Sequence, residues 1–203
     1  MLATLRVRDV VLASWPADVE RIARTLPAGL RPAEVEGRHI VSAATFRCTG
    51  GTLGRLPLPP FSQLNLHAYV EHRGEPGVVF LASRVTWPGM GGALLGAPYR
   101  PARIRVRPGR VEAPGLGFSL AYEPREPATP SPVTERLVGL YEAAGVRAFR
   151  VRRRRAVWHA AVPVGEVRAD PLLALGFELS DLPALLVARR AEFQVELPPR
   201  RVS

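Results

Sequence analysis

Within the stretch 61–86, FSQLNLHAYVEHRGEPGVVFLASRVT, residues 63–70 alternate polar and apolar side chains one for one, a period that an extended chain exploits. Leu64, Leu66, Ala68 and Val70 fall on one side, and Gln63, Asn65, His67 and Tyr69 on the other. This predicts a strand with one face carrying donors and acceptors. Arg73-Gly74-Glu75-Pro76-Gly77 predicts a turn, because glycine supplies positive φ and proline presets its own, and Val78 begins a return strand. In that return strand Phe80, Ala82, Arg84 and Thr86 share a side. If that side faces inward, Arg84 meets Asn65 and His67 inside a cavity. The competing reading is a half-solvated hairpin whose polar face meets water.

A chain of 203 residues with 47% hydrophobic content suits one domain, 1–203, with a substantial core. The sequence contains no run of about 18 apolar residues, and its start, MLATLRVRDV, lacks the apolar core of an export signal. A cytoplasmic protein without a membrane span is expected. Cys48 stands alone, so it forms no internal disulfide and is expected to pack as a small buried hydrophobe. All 28 basic residues are arginine, and the formal net charge is +10. The lack of lysine excludes lysine Schiff bases, lysine general bases and a phosphate-loop lysine. Guanidinium forks match carboxylates and phosphates, which points to an anionic small molecule as partner. The same composition also follows from coding bias, so charge alone assigns nothing.

Taken in order, residues 5–12 read as a strand. Residues 16–24 read as a helix capped by Ser14, with Val19, Ile22 and Ala23 buried. A hairpin about Glu36-Gly37 is expected to join 30–34 to 38–48, followed by a Gly-, Leu- and Pro-rich loop over 49–60. The glycine-rich segment 87–96 suggests a helical turn or two. Short strands are expected over 102–107, 110–113 and 117–122, then a proline loop over 124–132. Ser131-Pro132 opens a predicted helix with Val133, Leu137 and Leu140 inward and Gly145 as its end. Strands over 148–158, 160–168 and 185–197, with a helical turn at 170–175, complete a mainly β, barrel-like domain.

Several of these residues together resemble the YqjF-like family of uncharacterised bacterial proteins. They are Trp15-Pro16 with Leu26-Pro27-Ala28-Gly29-Leu30, Asn65 with Tyr69-Val70, Gly74-x-Pro76-Gly77-Val78, Ala97-Pro98-Tyr99 with Ala102, Thr134-Glu135-Arg136 with Leu140-Tyr141, and Trp158. The resemblance implies an acetoacetate-decarboxylase-like fold: a closed antiparallel β barrel or cone around a ligand cavity, with a few short flanking helices. Where the family usually has glutamate and arginine on either side of the hairpin asparagine, this chain has Gln63 and His67. A family His-His pair is here Arg154-Arg155, and the segment resembling the decarboxylase lysine neighbourhood, Pro98-Tyr99-Arg100, has no lysine.

Two functional classes stand. One is binding of a small anionic, carboxylate-bearing molecule in a barrel cavity, with or without lysine-independent lyase or isomerase-like chemistry by His67 or Glu135. Its expected lining is Gln63, Asn65, His67, Arg84, Tyr99, Arg136, Arg153, Arg154, Arg155 and Trp158. Read as a strand, residues 152–155 send two arginines to each face. The other class is a polyanion or nucleic-acid binder, against which stands the lack of aromatics among the basic run. His39, His67, His72 and His159 show no ligand spacing, so neither metal nor cofactor is expected. Self-association into a homo-oligomer stays open.

Overall fold

The N-terminal alternation forms β1 (Leu2–Pro16), which pairs along its whole length with strands on both sides. The computed structural model describes residues 2–87, 98–129, 131–135 and 138–202, so the helical turn expected over 87–96 lies almost wholly outside the described residues. Because β1 runs through Pro16, the first helix, α1 (Val19–Thr25), starts later than its sequence suggests. Asp18 is its N-cap and accepts the Arg21 backbone N–H at 2.7 Å, while Ser14 stays in β1 and bonds the Ser42 hydroxyl at 2.7 Å. Seven residues make only two turns, and Ile22 alone is buried; Val19 and Ala23 face outward.

β2 (Arg31–Pro32) pairs with β5 (Phe61–His72) rather than with β3 (Ile40–Leu53), so the expected hairpin about Glu36-Gly37 shrinks to one bridge, Val35 to Arg38. The expected loop over 49–60 is instead the end of β3 turning into β4 (Leu56–Leu58). β6 (Glu75–Val85) follows β5 through the two-residue turn Arg73-Gly74, both at positive φ, the geometry that suits the twist of a hairpin. Glu75 to Gly77 therefore belong to the strand.

The later elements are β7 (Tyr99–Pro101), β8 (Arg105–Arg107), β9 (Arg110–Ala113) and β10 (Phe118–Pro127), the last running into the expected proline loop. Of the helix expected from Ser131 to Gly145, Pro132–Glu135 is helical, and Val138–Glu142 is a strand, β11, paired with β6 and with β12 (Val146–Arg154). β13 (His159–Pro163), β14 (Arg168–Ala169), a helical turn at Asp170–Ala174, β15 (Ala184–Glu196) and β16 (Arg200–Arg201) complete the chain. Pairing runs β12-β11-β6-β5-β3-β1-β15, and β15 pairs again with β12. No helix among the described residues is long and apolar enough to cross a membrane.

The apolar face of β5 packs outward from this ring. Leu64, Leu66, Ala68 and Val70 join Ile22 of α1, Val106, Phe118 and Leu120 in the largest core cluster. The other face of β5 points inward, where Gln63, Asn65 and His67 are 6, 6 and 5% exposed and Tyr69 is 0% exposed. The half-solvated hairpin is thereby excluded. Cys48 is a free, fully buried thiol, as its isolation suggests, and burial pushes its pKa up.

Close approach of β3 to β1 depends on Gly51, where a Cβ would run into the Thr4 carbonyl oxygen and lie 3.2 Å from the Leu5 Cα. Both partners are backbone and cannot rotate away. Gly51→Ala is expected to destabilise the protein by about 1–3 kcal/mol in urea unfolding, whereas Arg55→Gln at the nearby exposed turn is expected to change it by less than about 0.5 kcal/mol.

Candidate functional site

The inward face of β5 and its neighbours lines a cavity of about 170 Å³. That volume is close to the size at which an engineered protein cavity admits a benzene-sized guest. Register explains who lines it. Gln63, Asn65 and His67 stand opposite Phe46, Ala44 and Ser42 of β3, and His67 stands opposite Phe80 of β6. Across the cavity, β12 sends Phe149, Val151 and Arg153 inward, beside Phe193 and Val195 of β15. Gly139 of β11 leaves room for the Phe149 ring, which stacks on Phe80 at 5.7 Å between centroids.

Most of the lining is apolar, so each polar group in it must be accounted for. Gln63 Nε2 donates to Asn65 Oδ1 at 2.8 Å, and the Gln63 side chain also hydrogen-bonds Tyr99. Tyr69 donates its hydroxyl proton to the Val133 carbonyl at 3.3 Å, leaving its oxygen to accept from His67 Nε2 at 3.5 Å. That assigns the His67 proton to Nε2, and Nδ1 is a buried acceptor with no hydrogen-bond partner among the described residues. Burial lowers the His67 pKa from 6.5 to about 4, so the imidazole is neutral at pH 7. Desolvation by burial is the cause of this shift. Burial likewise pushes the Tyr99 hydroxyl up.

Among the described residues Arg153 brings the guanidinium that lines the cavity. Its side chain is 17% exposed, and Nε and Nη1 are buried without hydrogen-bond partners among the described residues. Glu135 Oε1 lies 3.9 Å from Nη1, too far for a hydrogen bond, and the guanidinium sits 5.2 Å from the centroid of the Trp158 ring. Desolvation lowers the Arg153 pKa, opposed by the negative field of Glu135.

Of the residues singled out from sequence, Gln63, Asn65, His67, Tyr99, Arg153 and Trp158 are brought together here. Arg84 is not. Leu81 bulges out of β6 between the pairs His67 to Phe80 and Leu66 to Ala82, which shifts the register by one. Ser83 then takes the place opposite Asn65, and Arg84 stands opposite Leu64 on the other face, so the pocket clamped by Arg84 is not the one this chain builds. Arg154 is exposed, and Arg155, at φ 56°, leaves the strand; only Arg153 of the arginine run points inward, not two. Glu135 is half-exposed beside the cavity, and Arg136 lies outside the described residues. Phe46, Phe149 and Phe193, which complete the aromatic wall with Phe80, escaped sequence reasoning, although Phe149, Val151 and Arg153 carry the period-two signal of one strand face. Among the described residues no three His, Cys, Asp or Glu side chains gather as metal ligands.

Comparison with known proteins places this geometry. Residues 4–191 match the profile of the DUF2071 family, described as an uncharacterized conserved protein. The chain is 33% identical over 78 residues to the uncharacterized protein YqjF of Bacillus subtilis (strain 168), a match that takes in 36% of this chain and spans only 32% of that relative. The acetoacetate decarboxylase of Legionella pneumophila superimposes with a TM-score of 0.71 at 11% identity, over 100% of this chain and 88% of that one. An acetoacetate decarboxylase-like enzyme from Sphingomonas wittichii RW1 gives 0.69 at 16% identity, over 100% and 93%. The enduracididine biosynthesis enzyme MppR, complexed with the condensation product of pyruvate and imidazole 4-carboxaldehyde, gives 0.70 at 14%, over 98% and 88%. At such identities the likeness shows the fold alone, mainly β and acetoacetate-decarboxylase-like.

The buried imidazole makes stability depend on pH in one direction. The unfolded chain binds a proton at His67 with a pKa of 6.5 and the folded chain only near 4. Protonation therefore favours unfolding: this contribution is complete above pH 6.5 and is lost as pH falls toward 4, by on the order of 3 kcal/mol. Urea unfolding of native protein and His67→Gln across this range is expected to show the native curve falling more steeply, since the other titrating groups are common to both. Parallel curves would contradict the buried neutral imidazole.

Proposed function

The chain belongs to the DUF2071 family, and on that premise we propose that it binds one small carboxylate-bearing molecule in the 170 Å³ cavity, with Arg153 as counter-ion. We read the strand ring as a closed barrel and residues 1–203 as a single cytoplasmic domain built around this site. The observation that carries the reading is the state of Arg153: a guanidinium in an apolar-walled cavity, with two nitrogens lacking hydrogen-bond partners among the described residues. An unmet buried donor on a charged group costs more than the usual 1–3 kcal/mol or so, and a ligand carboxylate removes that cost. Cavity volume limits the guest to roughly benzene size, and the walls of Phe80, Phe149 and Trp158 favour an apolar or planar body behind the acid group. Tyr99, Gln63 and Asn65 offer further polar contacts to fix its orientation. MppR, on the same fold, is described with a ligand made from pyruvate, a carboxylate, which supports the class.

Binding is favoured over catalysis by the His67 pKa of about 4, which makes the empty site a poor general base at neutral pH. A bound anion beside the ring raises that pKa, so any lyase or isomerase-like proton transfer would begin only with ligand in place, at Nδ1. A lysine Schiff base plays no part, because the chain has no lysine.

Calorimetric titration with pyruvate and benzoate, alongside their uncharged amides, tests the reading in native protein and Arg153→Met. The carboxylates are expected to bind the native protein and to lose roughly ten- to hundredfold in affinity in the variant. Empty Arg153→Met is expected to unfold at no lower temperature than native, since a desolvated cation with two nitrogens lacking hydrogen-bond partners among the described residues is removed. Equal binding of acids and amides, or carboxylate affinity unchanged by the substitution, would overturn it.

A further inference from the structure

A second concavity, of about 440 Å³, lies on the outer side of the wall that bounds the cavity. Chain neighbours mark the two sides: Val10, Phe46 and Arg153 line the cavity, while Asp9, Arg47 and Arg155 line the outer hollow. Three adjacent strands, β3, β1 and β15, set Arg47, Arg8 and Arg190 in one row, with Arg8 directly opposite both others. Arg155 and Arg189 bring the guanidiniums of the hollow to five. Like charges placed directly opposite in a sheet weaken it, so an ordinary surface separates them or interleaves acids. Here Arg47 reaches Asp9 Oδ2 at 3.6 Å, and among the described residues Arg8, Arg155, Arg189 and Arg190 have no carboxylate within ion-pair distance.

The backbone singles out the same place. Five non-glycine residues among those described have positive φ: Asp9, Glu36, Arg73, Ala144 and Arg155. Glu36, Arg73 and Ala144 each precede a glycine in a tight turn, where such an angle is ordinary. Asp9 and Arg155 do not, and both line this hollow. Asp9 takes its angle where β1 slips register against β3, between Arg8 and Val11, and Arg155 takes its own just past the end of β12.

We propose that this hollow is a second binding site, for a small molecule bearing phosphoryl groups. Four unpaired cations need more than one negative charge, and a phosphoryl group brings up to two charges on three acceptor oxygens, matched to guanidinium forks. A volume of about 440 Å³ accommodates a phosphorylated metabolite of sugar-phosphate or nucleotide size. Nucleic acid fits less well. Among the described residues no Phe, Tyr or Trp lines the hollow to stack a base, and the Asp9 carboxylate interrupts the basic surface that a continuous phosphate chain would track.

Inorganic pyrophosphate is the probe, titrated calorimetrically into native protein, Arg8→Gln/Arg190→Gln and, as a control for diffuse charge, Arg55→Gln at an exposed turn outside the hollow. Native protein and Arg55→Gln are expected to bind alike, and the double variant roughly tenfold or more weakly. Without pyrophosphate the double variant is expected to melt no lower than native, because it relieves repulsion. Should it fail to fold, Arg189→Gln, on an exposed side chain, carries the same comparison. Absence of binding to native protein, equal loss in Arg55→Gln, or duplex DNA that binds the native protein and is not displaced by pyrophosphate would each overturn the proposal.

Discussion

Strand β5 is buried on both faces although only one of them is apolar, and a polar face taken out of water must find its hydrogen bonds inside the protein. The fold answers this by wrapping strands around the polar face instead of packing a second sheet onto it. Gln63 bonds Asn65 and Tyr99, and His67 turns to Tyr69, whose hydroxyl continues to Val133. Among the described residues the ring supplies no hydrogen-bond partner for His67 Nδ1 or for two nitrogens of Arg153. The cavity is thus a consequence of the same alternation that specifies the strand, and its unmet groups define the chemistry a guest must bring.

The hairpin at the centre was legible because Arg73-Gly74 and the alternation of residues 63–70 each have one structural meaning. Its far end was not, because the bulge at Leu81 carries neither glycine nor proline, and a single extra residue exchanges Ser83 for Arg84 on the inner face. Residues 133–140 misled in a different way. Val133, Leu137 and Leu140 have helical spacing, yet β11 gains its place by pairing with β6 and β12, a tertiary contact to which local periodicity is blind. Ser14 against Asp18 was a matter of where β1 stops, and β1 continues because both its edges are paired.

In the site, the polar members were easier to find than the walls. Asn65 and His67 on an otherwise apolar strand announce themselves, whereas Phe149 and Phe193 look like ordinary core until register sets them around empty space. Within the arginine run the decisive fact is that β12 ends at Arg154 and Arg155 turns away, so one guanidinium is desolvated inside the cavity while its neighbour serves the outer surface. Burial, more than proximity to other charges, then sets the protonation behaviour: it keeps His67 neutral and makes Arg153 costly to leave without an anion.

A crystal structure of the native protein grown with benzoate tests the central claim most directly. The account predicts benzoate in the cavity, its carboxylate about 2.7–3.0 Å from Arg153 nitrogens and its ring against Phe80 and Phe149. An empty cavity with benzoate held only by surface arginines, or a ring in the cavity with its carboxylate turned away from Arg153, would contradict it.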